Sequence, residues 1–206
     1  MLVVNNIGKR YRYEWIFKNL NYTFEKNKSY ALIGSNGSGK STLLKVLSGI
    51  ESNSQGNILF DFNNKKHKAE ELHQFISFVA PYQELIEEMT LSEFLVFHIK
   101  MLQLDKSLIE EIKSVLPFKK GIYSRKISDF SSGMKQRVKI VSGLYAQRPI
   151  LLLDEPTVNL DTEGVDWYRE LIQVNKSEIK IIASNQSHEY DFCDDSINIS
   201  DYHFSR

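Results

Sequence analysis

A chain of 206 residues is long enough to bury one substantial core, and one α/β domain with a small inserted lobe is the natural expectation. Its 26 Lys and Arg balance 26 Asp and Glu, so it lacks the global basic field of a nucleic-acid binder, and nucleic acid is disfavoured as a partner. Cys193 is the single cysteine, which rules out an internal disulfide and suggests a reducing compartment. No apolar leader follows Met1, and polar residues interrupt every apolar stretch well before about 18 residues. A soluble, cytoplasmic chain is expected, whose business with a membrane passes through a partner.

Residues 2–24 mix short apolar runs with turn residues and read as a β-rich start. Tyr30-Ala31-Leu32-Ile33 predicts a strand, and after a glycine-rich loop Leu43, Leu44, Leu47 and Ile50 recur at helical spacing. Ser52 to Gly56 is a turn cluster, and Ile58-Leu59-Phe60 a strand leading into the polar stretch Asn63-Asn64-Lys65-Lys66-His67-Lys68, expected to be a solvated loop. Residues 75–80 predict another strand, ended by Pro81.

From Thr90 the pattern turns helical. Thr90-Leu91-Ser92-Glu93 is a capping box, and Leu91, Phe94, Leu95, His98, Ile99 and Leu102 share one broad face. His98 reads as a packed helix residue, because no second metal-type side chain lies at ligand spacing. A helix over 106–116 stops at Pro117, and another runs from Ser131 toward Gln147 with Val138, Val141, Leu144 and Tyr145 on a common face. Ile150-Leu151-Leu152-Leu153 is the unbroken apolar run of a strand buried on both faces of a parallel sheet, with further strands at 179–183 and 197–199.

Two motifs carry chemistry. Gly34-Ser35-Asn36-Gly37-Ser38-Gly39-Lys40-Ser41 has the GxxxxGK(S/T) spacing in the strand–loop–helix setting that spacing requires. Its glycines let backbone N–H groups turn onto a polyphosphate, with Lys40 placed for the β and γ phosphates and the Ser41 hydroxyl for Mg²⁺. Asp154-Glu155-Pro156 follows the buried run, at the carboxyl end of a strand, where open α/β sheets place ligands. Asp154 suits the shell of a hard cation, and Glu155 is placed to orient or deprotonate a water attacking the γ phosphate.

Across residues 2–200 the sequence resembles the nucleotide-binding subunit of ATP-binding cassette (ABC) transporters. Phe130-Ser131-Ser132-Gly133-Met134-Lys135-Gln136-Arg137 looks like the LSGGQxQR signature, Gln83 matches the Q-loop and Asn159-Leu160-Asp161 the D-loop. Tyr11 falls where the family stacks an aromatic on adenine. The resemblance implies a P-loop NTPase core with an N-terminal antiparallel β-subdomain and an inserted helical subdomain. The core would take 1–82 and 131–206, and the helical lobe about 83–130. It implies ATP and Mg²⁺ as ligands, Ser41, Gln83 and Asp154 around the metal, and Glu155, Gln83 and Asn185 in catalysis. It further implies nucleotide contacts from Tyr11, from Gly34 through Thr42, and from Ser131, Ser132, Gly133 and Asp161. Two cassettes, as a homodimer or heterodimer, would close head to tail on ATP, each coupled to a separately encoded transmembrane permease docked on the helical lobe at the inner face of the membrane.

The chain departs from the family pattern at three places. Ser132 and Met134 stand where Gly and Gln are commonest, a variant that resembles some export-type systems. More consequential, Asn185 stands at the switch position usually held by His, so slow hydrolysis is expected: an amide can donate a hydrogen bond but cannot carry charge or relay a proton. His188, three residues on, is a poorly placed substitute for that histidine and reads rather as an exposed helix-start residue. A soluble regulatory or translation-associated ABC ATPase, or a binding module with negligible catalysis, stay open as alternatives.

Overall fold

The computed structural model describes residues 1–203 and falls into two compact units. The first contains Met1–Phe78, Arg148–Glu155 and the chain from Lys176 onward; the second contains Val79–Gln147 and Pro156–Asn175.

The first unit is built on two sheets. β1 (Leu2–Tyr11) and β2 (Glu14–Phe24) form a hairpin in which Tyr11 pairs with Glu14 and Arg12 turns the chain at φ +55°. β4 (Gln55–Phe62) pairs antiparallel with β1, and β5 (Lys65–Lys68) completes the order β2-β1-β4-β5. The second sheet has the order β6-β7-β8-β3-β9, from β3 (Lys28–Ile33), β6 (Ile76–Val79), β7 (Ile150–Asp154), β8 (Ile179–Ala183) and β9 (Asp195–Asn198). β7, β8, β3 and β9 pair in parallel. All five residues of β7 are buried, as an unbroken apolar run in a two-faced parallel sheet requires. One apolar core joins the sheets, with Phe17, Leu20, Leu32, Leu44, Leu152 and Ile181 among its fully buried members.

Two expectations fail here. The polar stretch at Lys65–Lys68 is a strand, not a solvated loop: Asn63 and Asn64 both take positive φ (+51° and +61°), the backbone of a tight two-residue hairpin. The basic side chains face outward while His67 alone turns in, its ring centroid 4.4 Å from that of Phe75. α1 (Lys40–Leu47) buries Leu43, Leu44 and Leu47 as expected, but Ile50 is 62% exposed, because the helix has ended and Gly49, at φ +77°, turns the chain away.

The second unit is helical. Thr90 and Glu93 form the reciprocal capping box of α2 (Leu91–Met101), whose Leu91, Phe94, Leu95 and Ile99 are buried while Val96, Phe97 and Met101 are exposed. α3 (Leu108–Val115), α4 (Ser132–Leu144) and α5 (Thr162–Val174) complete it. Its core gathers Leu95, Ile112, Ile127, Val138 and Val141, and the Trp167 indole N–H donates to the Val115 carbonyl at 2.7 Å. His98 packs in this core, its Nε2 bonded to the Ser142 carbonyl at 3.0 Å, and burial lowers its pKa. Among the described residues no helix is long and apolar enough to cross a membrane.

Candidate nucleotide-binding site

The strand order brings the carboxyl ends of β3, β8 and β7 side by side, and each delivers one part of a site. From β3 comes the glycine loop. Gly34, Gly37 and Gly39 all have positive φ, and a Cβ at Gly39 would fall 2.5 Å from Ile16 Cγ2, so the loop needs glycine there for conformation and for space. Gly39 caps α1 in the left-handed region, leaving the first turn's N–H groups to face the loop.

Lys40 is only 6% exposed. Its ammonium donates to the carbonyls of Gly34 (2.9 Å) and Ser35 (3.1 Å) and to Oδ1 of Asn185 at the end of β8 (2.7 Å). Burial lowers its pKa, opposed by the nearby carboxylates of Glu155 and Asp154. The Asn185 amide in turn donates to Oδ1 of Asn36, so one side chain ties the two ends of the loop.

Asp154, from β7, is 2% exposed and accepts from the Ser41 hydroxyl at 2.9 Å. Burial pushes its carboxyl up to about 6; the Ser41 bond and the charges of Lys45 and Lys40 oppose that rise, while Glu155 adds to it. Glu155 sits at φ +41°, a costly backbone for a non-glycine residue, held by its N–H bond to the Ala183 carbonyl at 2.8 Å. Ile16, Asn36, Gly37, Lys40, Ser41, Thr42 and Glu155 line an open cleft of about 310 Å³. A hydroxyl and a carboxylate 2.9 Å apart are the hard oxygen donors a Mg²⁺ ion accepts, and two protein ligands leave it the waters and phosphate oxygens it retains. The residues present therefore fit both the anion and the cation.

A neighbouring cleft of about 880 Å³ is lined by residues 11–16 of the hairpin, Gly37 and His203. Tyr11 lies here, 45% exposed, its hydroxyl donated to the Glu51 carboxylate and the Lys9 ammonium 4.9 Å from its ring centroid. His203 was not anticipated: it stands 165 residues from its partner Ser38, and no spacing rule links the two.

The other candidates belong to the second unit. Ser131 is exposed and caps α4, its Oγ accepting from the Met134 N–H at 3.3 Å; Ser132 opens that helix and is exposed too. Gly133 runs so close to the Asn159 carbonyl oxygen that a Cβ would lie 2.8 Å from it. Asp161 caps α5, accepting from the Gly164 N–H and from Arg137, both at 2.9 Å, and the helix-end N–H bond chiefly holds its carboxyl below the usual range. Buried Gln136 donates to the Pro156 carbonyl at 2.7 Å, fastening α4 to the segment after Glu155. The Gln83 side-chain oxygen accepts from the Ala80 N–H at 2.9 Å. Back in the first unit, His188 is half-buried in a short 3₁₀ turn rather than exposed.

A glycine loop between strand and helix, its lysine buried beneath it and a carboxylate at the end of an adjacent parallel strand define a P-loop nucleotide-binding domain. The chain belongs to the ABC transporter family, as one of its ATP-binding subunits: the family profile matches residues 17–158. It is similar to the uncharacterized ABC transporter ATP-binding protein YybJ of Bacillus subtilis, 33% identical over 97% of this chain and 93% of that one. It is also similar to the lantibiotic transport ATP-binding protein SrtF of Streptococcus pyogenes, 37% identical over 86% of this chain and 76% of the other. In fold it matches the dimeric post-hydrolysis structure of the ATP-binding cassette MJ0796 with ADP and Pi, with a TM-score of 0.81 and 21% identity over 97% of this chain and 95% of that one.

Proposed function

We propose that the protein hydrolyses ATP with Mg²⁺ as the motor subunit of an exporter, pairing head to tail with a second cassette around the nucleotide. The observation that supports this best is the convergence of Lys40, Ser41, Asp154 and Asn185 at three adjacent strand ends. Lys40 exchanges its carbonyl and amide partners for the β and γ phosphates, and the glycine-loop N–H groups orient the same anion. Ser41 and Asp154, with Gln83 as a further ligand, would hold Mg²⁺, and the ion would supply positive charge to the phosphate oxygens. Glu155 orients the attacking water. Tyr11 takes the adenine ring, and Ser131, Ser132, Gly133 and Asp161 complete the site of the opposite cassette, where the exposed cap of α4 presents N–H groups and a positive helix end.

Asn185 takes the place of the switch histidine and makes turnover slow. Its amide donates to the γ phosphate, but it moves no proton. The exposed Val96, Phe97 and Met101 on α2 offer an apolar face to a membrane-embedded partner at the cytoplasmic surface. Relatives named for lantibiotic transport and linearmycin resistance support export as the direction. Phosphate release from Mg²⁺–ATP by the wild type and by Lys40→Ala tests the reading. Release is expected from the first and not the second; equal release would contradict it.

A further inference from the structure

After β9 the chain enters a 3₁₀ turn, Ile199–Tyr202, that lies against the glycine loop. The turn is well anchored. Ile199 is fully buried, Asn198 Oδ1 accepts from the Ser200 N–H at 3.1 Å, and Tyr202 packs on the main apolar core. His203 follows, its backbone N–H donated to the Ser200 carbonyl at 3.2 Å. From there Nε2 of its ring lies 2.9 Å from the backbone carbonyl oxygen of Ser38. A carbonyl can only accept, so Nε2 carries the proton and donates.

The consequence lies in the peptide unit that Ser38 shares with Gly39. Among the described residues every peptide bond is trans, so the Ser38 C=O and the Gly39 N–H point in opposite directions across one rigid plane. Holding the carbonyl from the side of His203 turns the Gly39 N–H away from the imidazole. Glycine at φ +94° can rotate this plane at little cost, so an external anchor matters most at this position. The serine itself does not supply one: its Oγ is buried without a hydrogen-bond partner, tucked within 2.7 Å of where a Gly34 Cβ would be. The Ser38 N–H is committed to the Ser35 carbonyl at 3.1 Å.

We propose that His203 is a positioning residue of the nucleotide site: by donating to the Ser38 carbonyl it fixes the Ser38–Gly39 peptide with its N–H presented to the phosphates, and so sets affinity without touching the nucleotide. The proposal rests on the phosphate-loop reading of residues 34–41. It places a functional residue in the segment after the last strand.

The test is equilibrium binding of fluorescent ATP and ADP analogues, with steady-state hydrolysis, on the whole chain carrying His203→Ala or His203→Gln. Losing one neutral hydrogen bond predicts that His203→Ala weakens both nucleotides by about 3- to 10-fold. KM should rise by the same factor while kcat changes less than about twofold, since the loop grips ground state and transition state alike. His203→Gln carries an amide N–H at about the reach of Nε2 and should recover most of the affinity. Unchanged affinity in His203→Ala overturns the proposal. So does a loss that Gln fails to rescue, or one that tracks a fall in thermal stability of the nucleotide-free protein, because those describe only a structural strap. A wild-type chain that binds ATP no better than Lys40→Ala removes the phosphate-loop reading and this proposal with it.

Discussion

Lys40 and Asn185 meet at 2.7 Å, joining the start of α1 to the end of β8 across the glycine loop. The contact pairs an ammonium with an amide oxygen, so it carries no net charge attraction of the kind a carboxylate would supply. On the proposed reading a phosphate would displace it at modest cost, freeing the amide to rotate and present its N–H.

Asn185→His introduces a side chain that can hold and relay a proton. Turnover at saturating ATP should rise by at least about tenfold, toward the 10²- to 10⁴-fold typical of a positioned acid or base. Phosphate release by the two proteins, measured side by side, decides it, and equal kcat values would show that Asn185 does not limit the reaction.

Asp154 is held against its own ionisation. Burial raises its carboxyl from 3.8 to about 6, so the folded protein binds this proton more tightly than the unfolded chain does. Its contribution to stability is therefore favourable below about pH 4 and is lost as pH rises through about 6. Asp154→Asn, which keeps an acceptor for Ser41, should make the nucleotide-free protein more stable at pH 7 by about 1–3 kcal/mol while abolishing the stimulation of nucleotide binding by Mg²⁺. Chemical denaturation and a Mg²⁺ titration read the two effects; a variant less stable than wild type at pH 7 would contradict the electrostatic account.

Gly133 has no room for a side chain, because the added Cβ would press on a backbone oxygen of Asn159. Alanine would gain about 1 kcal/mol of helix propensity in α4, so a simple loss of helix cannot explain a defect. Gly133→Ala should shift the segment from Asn159 to Asp161 and lower phosphate release at least about tenfold, with helix content by circular dichroism unchanged. Wild-type turnover would show that this close approach has no part in the reaction.

Much of this was legible in the sequence for a physical reason. The glycine loop, the buried run Ile150 to Leu153 and the capping box at Thr90 are local patterns whose structure follows from a few adjacent residues. The Asn63-Asn64 turn was also local, but the Lys-rich strand after it masked a hairpin as a solvated run. α5 was missed because its cap, Asp161, was read only as a nucleotide contact. His203 could not be found at all: its role depends on β9 lying beside β3, a pairing set by the whole sheet.

The central claim is that one triphosphate is gripped between two copies of the chain, and Glu155→Gln tests it most directly, because it leaves the phosphate loop and the exposed Ser131 cap intact while removing the carboxylate proposed to orient water. Light scattering on this variant should give twice the monomer mass with ATP and Mg²⁺ and the monomer mass with ADP. A monomer at saturating ATP, with nucleotide demonstrably bound, would contradict the account.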